Sequence, residues 1–248
     1  MIPWTPQLLL VSLIVAGAAM LKGVTGFGFP LVAVPLLSTI LGPRVAIPML
    51  AIPTMLSNVI VVRRGGGSRP TVPLVVILAG LGVGTVAGAL LIKTLDQRLL
   101  SVLVGAVSLL YVAATAFRLT TLIPRRAGER AAPVIGLVAG VIGGATGIFA
   151  PFLASYLHLL GLAKREFVFW ITMMFFVSNI VQITSYLHLG LYAGAVWGLS
   201  LVQCVPMAVG TWSGLLVQDR LSPQMFNRVV LGIVFLSSLN LLAHGFMR

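Results

Sequence analysis

Long apolar segments separated by short polar or turn-forming stretches make up most of the chain. None of them alternates apolar and polar residues with a period of two, which disfavours membrane-spanning strands. A helix needs about 20 apolar residues to cross the hydrocarbon core of a bilayer. Six segments of suitable length are therefore predicted to be full transmembrane helices: Ala46–Val62, Thr71–Ile92, Leu99–Phe117, Phe167–Leu187, Leu191–Val217 and Phe226–Phe246.

Two further apolar segments, Trp4–Leu41 and Ala132–Gly161, are each interrupted by a glycine-rich stretch. The piece Phe29–Leu41 contains 13 residues and the piece Ala132–Thr146 contains 15. As helices they would measure about 20 and 22 Å, whereas the hydrocarbon core is about 30 Å thick. We therefore expect each interrupted segment to form a broken helical hairpin whose tip lies inside the membrane.

The tips of the two hairpins belong to an internal duplication. A constant shift of 121 positions superimposes six identical residues, which is strong evidence for a repeat. The pairs are Thr25 with Thr146, Gly26 with Gly147, Pro30 with Pro151, Arg44 with Arg165, Ser57 with Ser178 and Asn58 with Asn179. The sequence thus predicts a first repeat over residues 1–118, a cytoplasmic linker over 119–131 and a second repeat over 132–248.

The distribution of basic residues indicates how the repeats are oriented. Cytoplasmic loops of membrane proteins carry an excess of Lys and Arg. If each interrupted segment crossed the membrane once, the two sides would hold eight and seven basic residues, which is no bias. If each turns back and the N-terminus lies outside, eleven fall inside and four outside. The sequence therefore predicts an all-α polytopic membrane protein with two inverted-topology repeats, each a broken hairpin plus three full transmembrane helices.

Composition supports a membrane protein and argues against several other classes. Only 8% of the residues are charged and 59% are hydrophobic, whereas a soluble domain has about 25% charged residues. The net charge of +12 is explained by basic residues flanking membrane spans, so nucleic acid is not an expected partner. The single cysteine, Cys204, is expected to serve packing.

The acidic residues argue against a carboxylate proton relay and against catalysis. All four lie in or next to predicted loops: Asp96, Glu129, Glu166 and Asp219. No metal-ligand spacing, phosphate loop or Ser/His/Asp cluster is visible in the sequence. We expect no cofactor, no metal site and no enzymatic activity.

The hairpin tips are suited to binding an anion. Pro30 and Pro151 favour the first turn of a new helix, where proline loses no helical hydrogen bond. The positive ends of two helix dipoles would then meet within the membrane. Irregular backbone at that depth is tolerated only in a protein interior or around a cavity. The hydroxyls of Thr25 and Thr146 would add hydrogen-bond donors, and the glycines would let a substrate approach the backbone.

Polar side chains inside the apolar segments are the other candidates, and some have two interpretations. Asn58 and Asn179 could hydrogen-bond helices to one another, or line the substrate cavity from equivalent positions. Lys22 could pair with an anion, or extend to the interface. The expected substrate-binding residues are Thr25, Gly26, Gly28, Pro30, Ser57, Asn58, Thr146, Gly147, Pro151, Ser178, Asn179 and Gln182. Second-rank candidates are Lys22, Phe27, Phe149 and Gln203.

The motifs resemble those of the TauE/SafE family of membrane permeases, also called the sulfite exporter or toluenesulfonate uptake permease family. The family's first repeat typically reads Gly-x-Thr-Gly-Phe-Gly-Gly-Gly, followed by Val-Pro-x-Leu. This chain is similar at residues 23–28, at Val34-Pro35-Leu36-Leu37 and in the loop 41–46. The second repeat is similar at residues 140–148 and 159–162. The tips differ, because Phe29 and Pro30, and later Phe149, Ala150 and Pro151, replace the usual glycines.

The resemblance implies a secondary transporter of sulfite, sulfonates or related small organic anions. It also implies a multi-pass protein of the cell membrane, in particular the bacterial inner membrane. The expected partners are a small anionic substrate and the lipid bilayer, with a homodimer left open. A non-transporting scaffold or accessory subunit is the alternative function, although a scaffold has no need of opposed helix ends in the bilayer.

Overall fold

The computed structural model describes residues 6–25, 28–65, 72–117, 125–218 and 223–247. Eleven helices and no strand occur in these residues. The first half contains α1 (Pro6–Thr25), α2 (Phe29–Leu41), α3 (Pro43–Gly65), α4 (Val72–Thr94) and α5 (Gln97–Ala116). The second half contains α6 (Arg125–Thr146), α7 (Ala150–Leu159), α8 (Lys164–His188), α9 (Ala195–Val202), α10 (Cys204–Val217) and α11 (Pro223–Met247).

Six helical segments of the described chain are long and apolar enough to cross a membrane: Pro6–Thr25, Pro43–Arg63, Leu74–Thr94, Gln97–Ala116, Arg165–His188 and Ala195–Val217. The number equals the number predicted for full spans. Helix α1 is among them with 20 residues, and α11, for which a full span was predicted, is a helix of 25 residues that contains the apolar stretch Leu231–Ala243. The apolar parts of the other hairpin arms, Phe29–Leu41 and Ala131–Thr146, are short, as the sequence indicated.

One predicted span, Leu191–Val217, is divided in the structure. Helix α9 ends at Val202 and α10 begins at Cys204, with Gln203 between them. Pro206 accounts for the break, because proline donates no backbone hydrogen bond and its ring clashes with the carbonyl four residues earlier. Residues 125–131 of the predicted linker form the start of α6, while residues 119–124 lie outside the described part.

Many large apolar side chains lie on the outer surface, as expected of a protein surrounded by lipid. Leu9, Leu13, Val83, Val205 and Leu216 are each more than 60% exposed. Large exposed apolar patches mark sites that contact another protein or a membrane. Together with the six long apolar helices, it identifies a multi-pass membrane protein.

Small residues allow two helix pairs to pack closely, α4 against α6 and α1 against α10. A Cβ atom added to Gly84 of α4 would lie 2.2 Å from the carbonyl oxygen of Leu137 on α6. A Cβ atom added to Gly210 of α10 would lie 2.2 Å from the carbonyl oxygen of Ala16 on α1. Backbone oxygens this close leave no room for a side chain, which is the function of small residues in membrane helix pairs.

The two helix pairs use the same sequence motif. Gly-Thr-x-x-Gly occurs at 84–88 and again at 210–214, a shift of 126 positions. The partner residues, Ala16 and Leu137, are 121 positions apart, the same shift that relates the two tips. Each pair joins the first arm of one hairpin to a helix of the other half, so the two halves exchange equivalent contacts.

Candidate functional site

Each hairpin turns at a glycine with left-handed backbone geometry. Gly28 precedes α2 with φ 104°, and Gly147 lies before α7 with φ 73°. Only glycine adopts such angles without steric cost. Each turn leads into a new helix with a proline in its first turn, Pro30 in α2 and Pro151 in α7. The sequence between Thr25 and Gly28 includes Gly26 and Phe27, which lie outside the described residues.

The starts of α2 and α7 carry no side-chain cap. The residues that precede them, Gly28 and Phe149, make no capping hydrogen bond. The first N–H groups of a helix have no partner within that helix, and they carry the positive end of its dipole. Neither helix start is therefore capped by the residue that precedes it.

The two tips line one small cavity together with side chains from α3 and α8. Its volume is about 10 Å³, which is about the room of one water molecule. Most of its wall is apolar, and its polar side chains are Thr54 and Asn179. The lining residues are Gly28, Pro30, Leu31, Thr54, Gly147, Ile148, Phe149, Ala150, Phe175 and Asn179.

A chain of hydrogen bonds begins beside this cavity at Lys22 of α1. Lys22 is 1% exposed and is the one buried charged side chain in the described part of the protein. Its ammonium group donates to Ser57 Oγ at 2.8 Å and to Asn58 Oδ1. Asn58 Nδ2 then donates to Asn179 Oδ1 at 2.9 Å. The lysine is thus held by α3 and connected to the cavity through two amides.

The chain continues from Asn179 along α8 to the end of α6. Asn179 Nδ2 donates to Gln182 Oε1 at 3.0 Å. Gln182 Nε2 donates to the hydroxyl of Tyr186 at 2.8 Å and to the carbonyl of Gly143 at 3.2 Å. The hydroxyl of Tyr186 donates to the carbonyl of Gly144 at 2.6 Å. The chain therefore connects the first arms of both hairpins, through α3 and α8.

The centre of this chain is symmetric, whereas its ends are not. Asn58 and Asn179 occupy equivalent positions and contact each other directly, which places their contact between the two halves. The counterpart of Lys22 under the 121-residue shift is Gly143. A Cβ atom at Gly143 would lie 2.0 Å from Cδ1 of the Phe149 ring. In the second half, the ring of Phe149 thus occupies the space beside Gly143, which is the position equivalent to Lys22.

The two threonines of the tips are placed differently from each other. Thr25 is exposed, and its hydroxyl donates to the carbonyl of Leu21 at 3.0 Å. Thr146 is buried, donates to the carbonyl of Ile142 at 2.7 Å and accepts from the backbone N–H of Ile148 at 3.2 Å. In this conformation Thr146 shapes the turn and donates its hydroxyl proton to the backbone.

Three further candidates, Ser57, Ser178 and Gln203, form hydrogen bonds within the protein and are not among the residues that line the cavity. Ser57 and Ser178 are buried and donate to backbone carbonyls of their own helices, at 2.7 Å in both cases. Gln203 lies at the break between α9 and α10, where its Nε2 donates to Ser12 Oγ at 3.1 Å. Gln203 does not line the cavity.

Six residues of this region were not predicted from the sequence. Five of them line the cavity, Leu31, Thr54, Ile148, Ala150 and Phe175, and Tyr186 ends the hydrogen-bond chain. Tyr186 lies four residues after Gln182 and therefore shares its helical face. That spacing is the signal by which the sequence could have indicated it.

The geometry defines a multi-pass helical protein in which two glycine turns, each leading into a new helix, line one cavity beside a chain of buried amides. A family model described as "Sulfite exporter TauE/SafE" matches residues 10–241. Because this match covers nearly the whole chain, the protein belongs to the TauE/SafE family of membrane transporters. The comparisons with curated proteins and with solved structures gave no match.

Proposed function

We propose that the protein is a secondary transporter of small anions, with its substrate site at the cavity between the hairpin tips. The observation that carries the proposal is the convergence of two uncapped helix starts on one cavity. Backbone N–H groups at a helix start bind anions, and the helix dipole favours negative charge there. Asn179 adds an amide from a third helix. The site offers neutral donors rather than a direct salt bridge, so it can release its substrate.

We further propose that the two halves are inverted repeats whose pseudo-two-fold axis passes near the contact of Asn58 with Asn179. Residues that are equivalent and touch each other must lie close to the symmetry axis. The reciprocal packing of α1 with α10 and of α6 with α4 supports the same relation. The excess of basic residues on one side supports an axis in the plane of the membrane, as in other transporters with inverted repeats.

The size of the cavity supports alternating access. A volume of about 10 Å³ is too small for a sulfonate group, so the hairpins must separate before a substrate can bind. The present conformation is then one in which the site is too small to hold the substrate. Separation and closure of two equivalent hairpins on opposite sides would expose the same site alternately.

The walls of the cavity favour an organic anion over sulfite. The rings of Phe149 and Phe175 lie 6.5 Å apart between centroids and are tilted by 46°. Leu31 and Ile148 complete an apolar wall. An organic sulfonate places its charged group at the helix starts and its apolar group against these side chains, whereas sulfite leaves the apolar wall without a partner. The bacterial inner membrane is the location we propose.

Uptake into proteoliposomes tests the function. We expect accumulation of labelled p-toluenesulfonate above that in protein-free liposomes, and a smaller uptake of sulfite. Applying a proton gradient and a sodium gradient separately identifies the coupling ion. Folded protein that moves neither anion under any gradient would instead support the non-transporting scaffold. Greater uptake of sulfite than of p-toluenesulfonate would contradict the role of the apolar wall.

A further inference from the structure

In the hydrogen-bond chain from Lys22 to α6, the groups at the two ends determine which side of each amide donates and which side accepts. A lysine ammonium group has donors only, and a backbone carbonyl accepts only. Lys22 therefore requires an oxygen from Asn58, which turns the Nδ2 of Asn58 toward α8. At the far end, the carbonyl of Gly143 requires the Nε2 of Gln182.

Between these ends, every amide has one consistent orientation. Asn58 Nδ2 must face an oxygen of Asn179, and Asn179 Nδ2 must then face an oxygen of Gln182. Reversing any one of the three amides would bring two donors or two acceptors together. A buried polar group without its partner costs free energy, so such a reversal is unfavourable.

This direction matters because Asn179 also lines the cavity. Its carbonyl oxygen accepts from Asn58, and its Nδ2 gives one of its two N–H groups to Gln182. The second N–H of Nδ2 is the donor that Asn179 can offer to an anion. An amide turned the other way would present a carbonyl oxygen, which repels an anion.

We propose that Lys22 is a positioning residue that acts through Asn58 and turns Asn179 so that it presents an N–H donor to the cavity. Lys22 does not line the cavity itself. As a statement about anion recognition, this inference rests on the proposed transport function. As a statement about the orientation of buried amides, it can be tested without any substrate.

Two variants that each remove two buried hydrogen bonds provide the matched comparison. Lys22→Met removes the bonds to Ser57 and Asn58. Tyr186→Phe removes the bonds with Gln182 and with the carbonyl of Gly144. After Tyr186→Phe, both ends of the chain keep their partners, because Lys22 still donates to Asn58 and Gln182 still donates to the carbonyl of Gly143. After Lys22→Met, only the Gly143 end remains, so the amides are oriented from one end instead of two.

The first measurement is the binding of p-toluenesulfonate by isothermal titration calorimetry. Lys22→Met should weaken binding about ten- to hundred-fold, the effect of losing a hydrogen bond to a charged group. Tyr186→Phe should leave the affinity close to that of the wild type. In the background Asn179→Ala, Lys22→Met should have little further effect, because both changes remove the same donor. Additive effects would mean that the lysine attracts the anion directly and would overturn the proposal.

The second measurement follows the amides themselves and does not require a ligand. The chain contains four asparagines, so protein labelled with ¹⁵N only at asparagine gives four side-chain amide pairs. The variants Asn58→Ala and Asn179→Ala assign two of them. Lys22→Met should shift or split the signals of both Asn58 and Asn179, whereas Tyr186→Phe should leave them single. Unchanged Asn179 signals in Lys22→Met would overturn the proposal.

The two measurements distinguish failure of the proposed transport function from failure of the proposed orienting role of Lys22. If the wild type binds no anion and transports none, the proposed function falls, and the amide signals still decide the orienting role of Lys22. If Lys22→Met does not fold, Lys22→Gln replaces it. Glutamine can either donate to Asn58 or accept from it, so it no longer imposes one direction, and the asparagine signals should split while the affinity falls less than with methionine.

Discussion

Asn179 is the residue at which the cavity and the hydrogen-bond chain meet. Replacing it with alanine removes a donor from the cavity and interrupts the chain between the halves. We expect Asn179→Ala to weaken anion binding about ten- to hundred-fold, corresponding to about 1.5–3 kcal/mol for a hydrogen bond to a charged group. Titration of the purified protein with p-toluenesulfonate measures the change.

The control for this variant is Asn240→Ala on α11. Asn240 is exposed and lies outside both the cavity and the amide chain. The Asn240→Ala variant should therefore bind the anion as tightly as the wild type does. Equal binding by Asn179→Ala and the wild type, with normal expression of both, would return Asn179 to the role of connecting helices.

Residue types and repeat positions explain how much of this site could be predicted. Amide side chains at equivalent positions of a duplicated, apolar sequence are enough to indicate Asn58 and Asn179 as candidates. Their direct contact could not be read from the sequence, because it depends on how α3 and α8 pack. The same limit applies to Thr146, whose hydroxyl could serve either a ligand or the backbone, and whose local geometry satisfies the backbone.

At the scale of elements, the glycine pattern of α4 makes a sharp prediction. Gly84 faces the backbone of α6, whereas an added Cβ at Gly82, two residues earlier, would meet nothing within 4 Å. Gly84→Ala should therefore destabilise the protein by about 1–3 kcal/mol, the usual cost of overpacking. Gly82→Ala should leave the midpoint of thermal unfolding in detergent nearly unchanged.

The equivalent position in the other half provides an independent check of the repeat. An added Cβ at Gly210 would lie as close to the backbone of α1 as one at Gly84 lies to that of α6. Gly210→Ala should therefore lower the unfolding midpoint by an amount similar to Gly84→Ala. Gly198→Ala, at a position with nothing within 4 Å, is its control. If Gly84→Ala lowered the unfolding midpoint and Gly210→Ala did not, the equivalence of the two helix pairs would be contradicted.

Element boundaries followed from the sequence wherever proline or glycine enforces them. The starts of α2 and α7 lie beside Pro30 and Pro151, and both turns lie at glycines. The break at Gln203 was not predicted, although Pro206 removes a helical hydrogen bond just after it. A proline does not by itself break a membrane helix: α3 continues through Pro48 and Pro53. Whether a helix breaks depends on the packing around it, which the sequence pattern does not contain.

For the whole molecule, the reciprocal contacts relate the two halves, and the basic residues indicate how they lie in the membrane. The arrangement with the N-terminus outside places eleven basic residues inside and four outside. A simple parallel arrangement has no such bias, and the positive-inside rule therefore favours inversion. The packing of α1 with α10 and of α6 with α4 fits a two-fold relation but does not define which side faces the cytoplasm.

Reporter fusions decide the orientation. A reporter that is active only in the cytoplasm should be silent when fused after residue 248, because the C-terminus is expected outside. The same reporter inserted in the linker 119–131 should be active, which serves as the positive control. Substituting Arg63 and Arg64 with glutamine removes two of the basic residues expected inside and should weaken the orientation, producing some signal at the C-terminus. A bright C-terminal fusion together with a silent linker would reverse the proposed orientation, and two bright fusions would contradict the inverted repeats altogether.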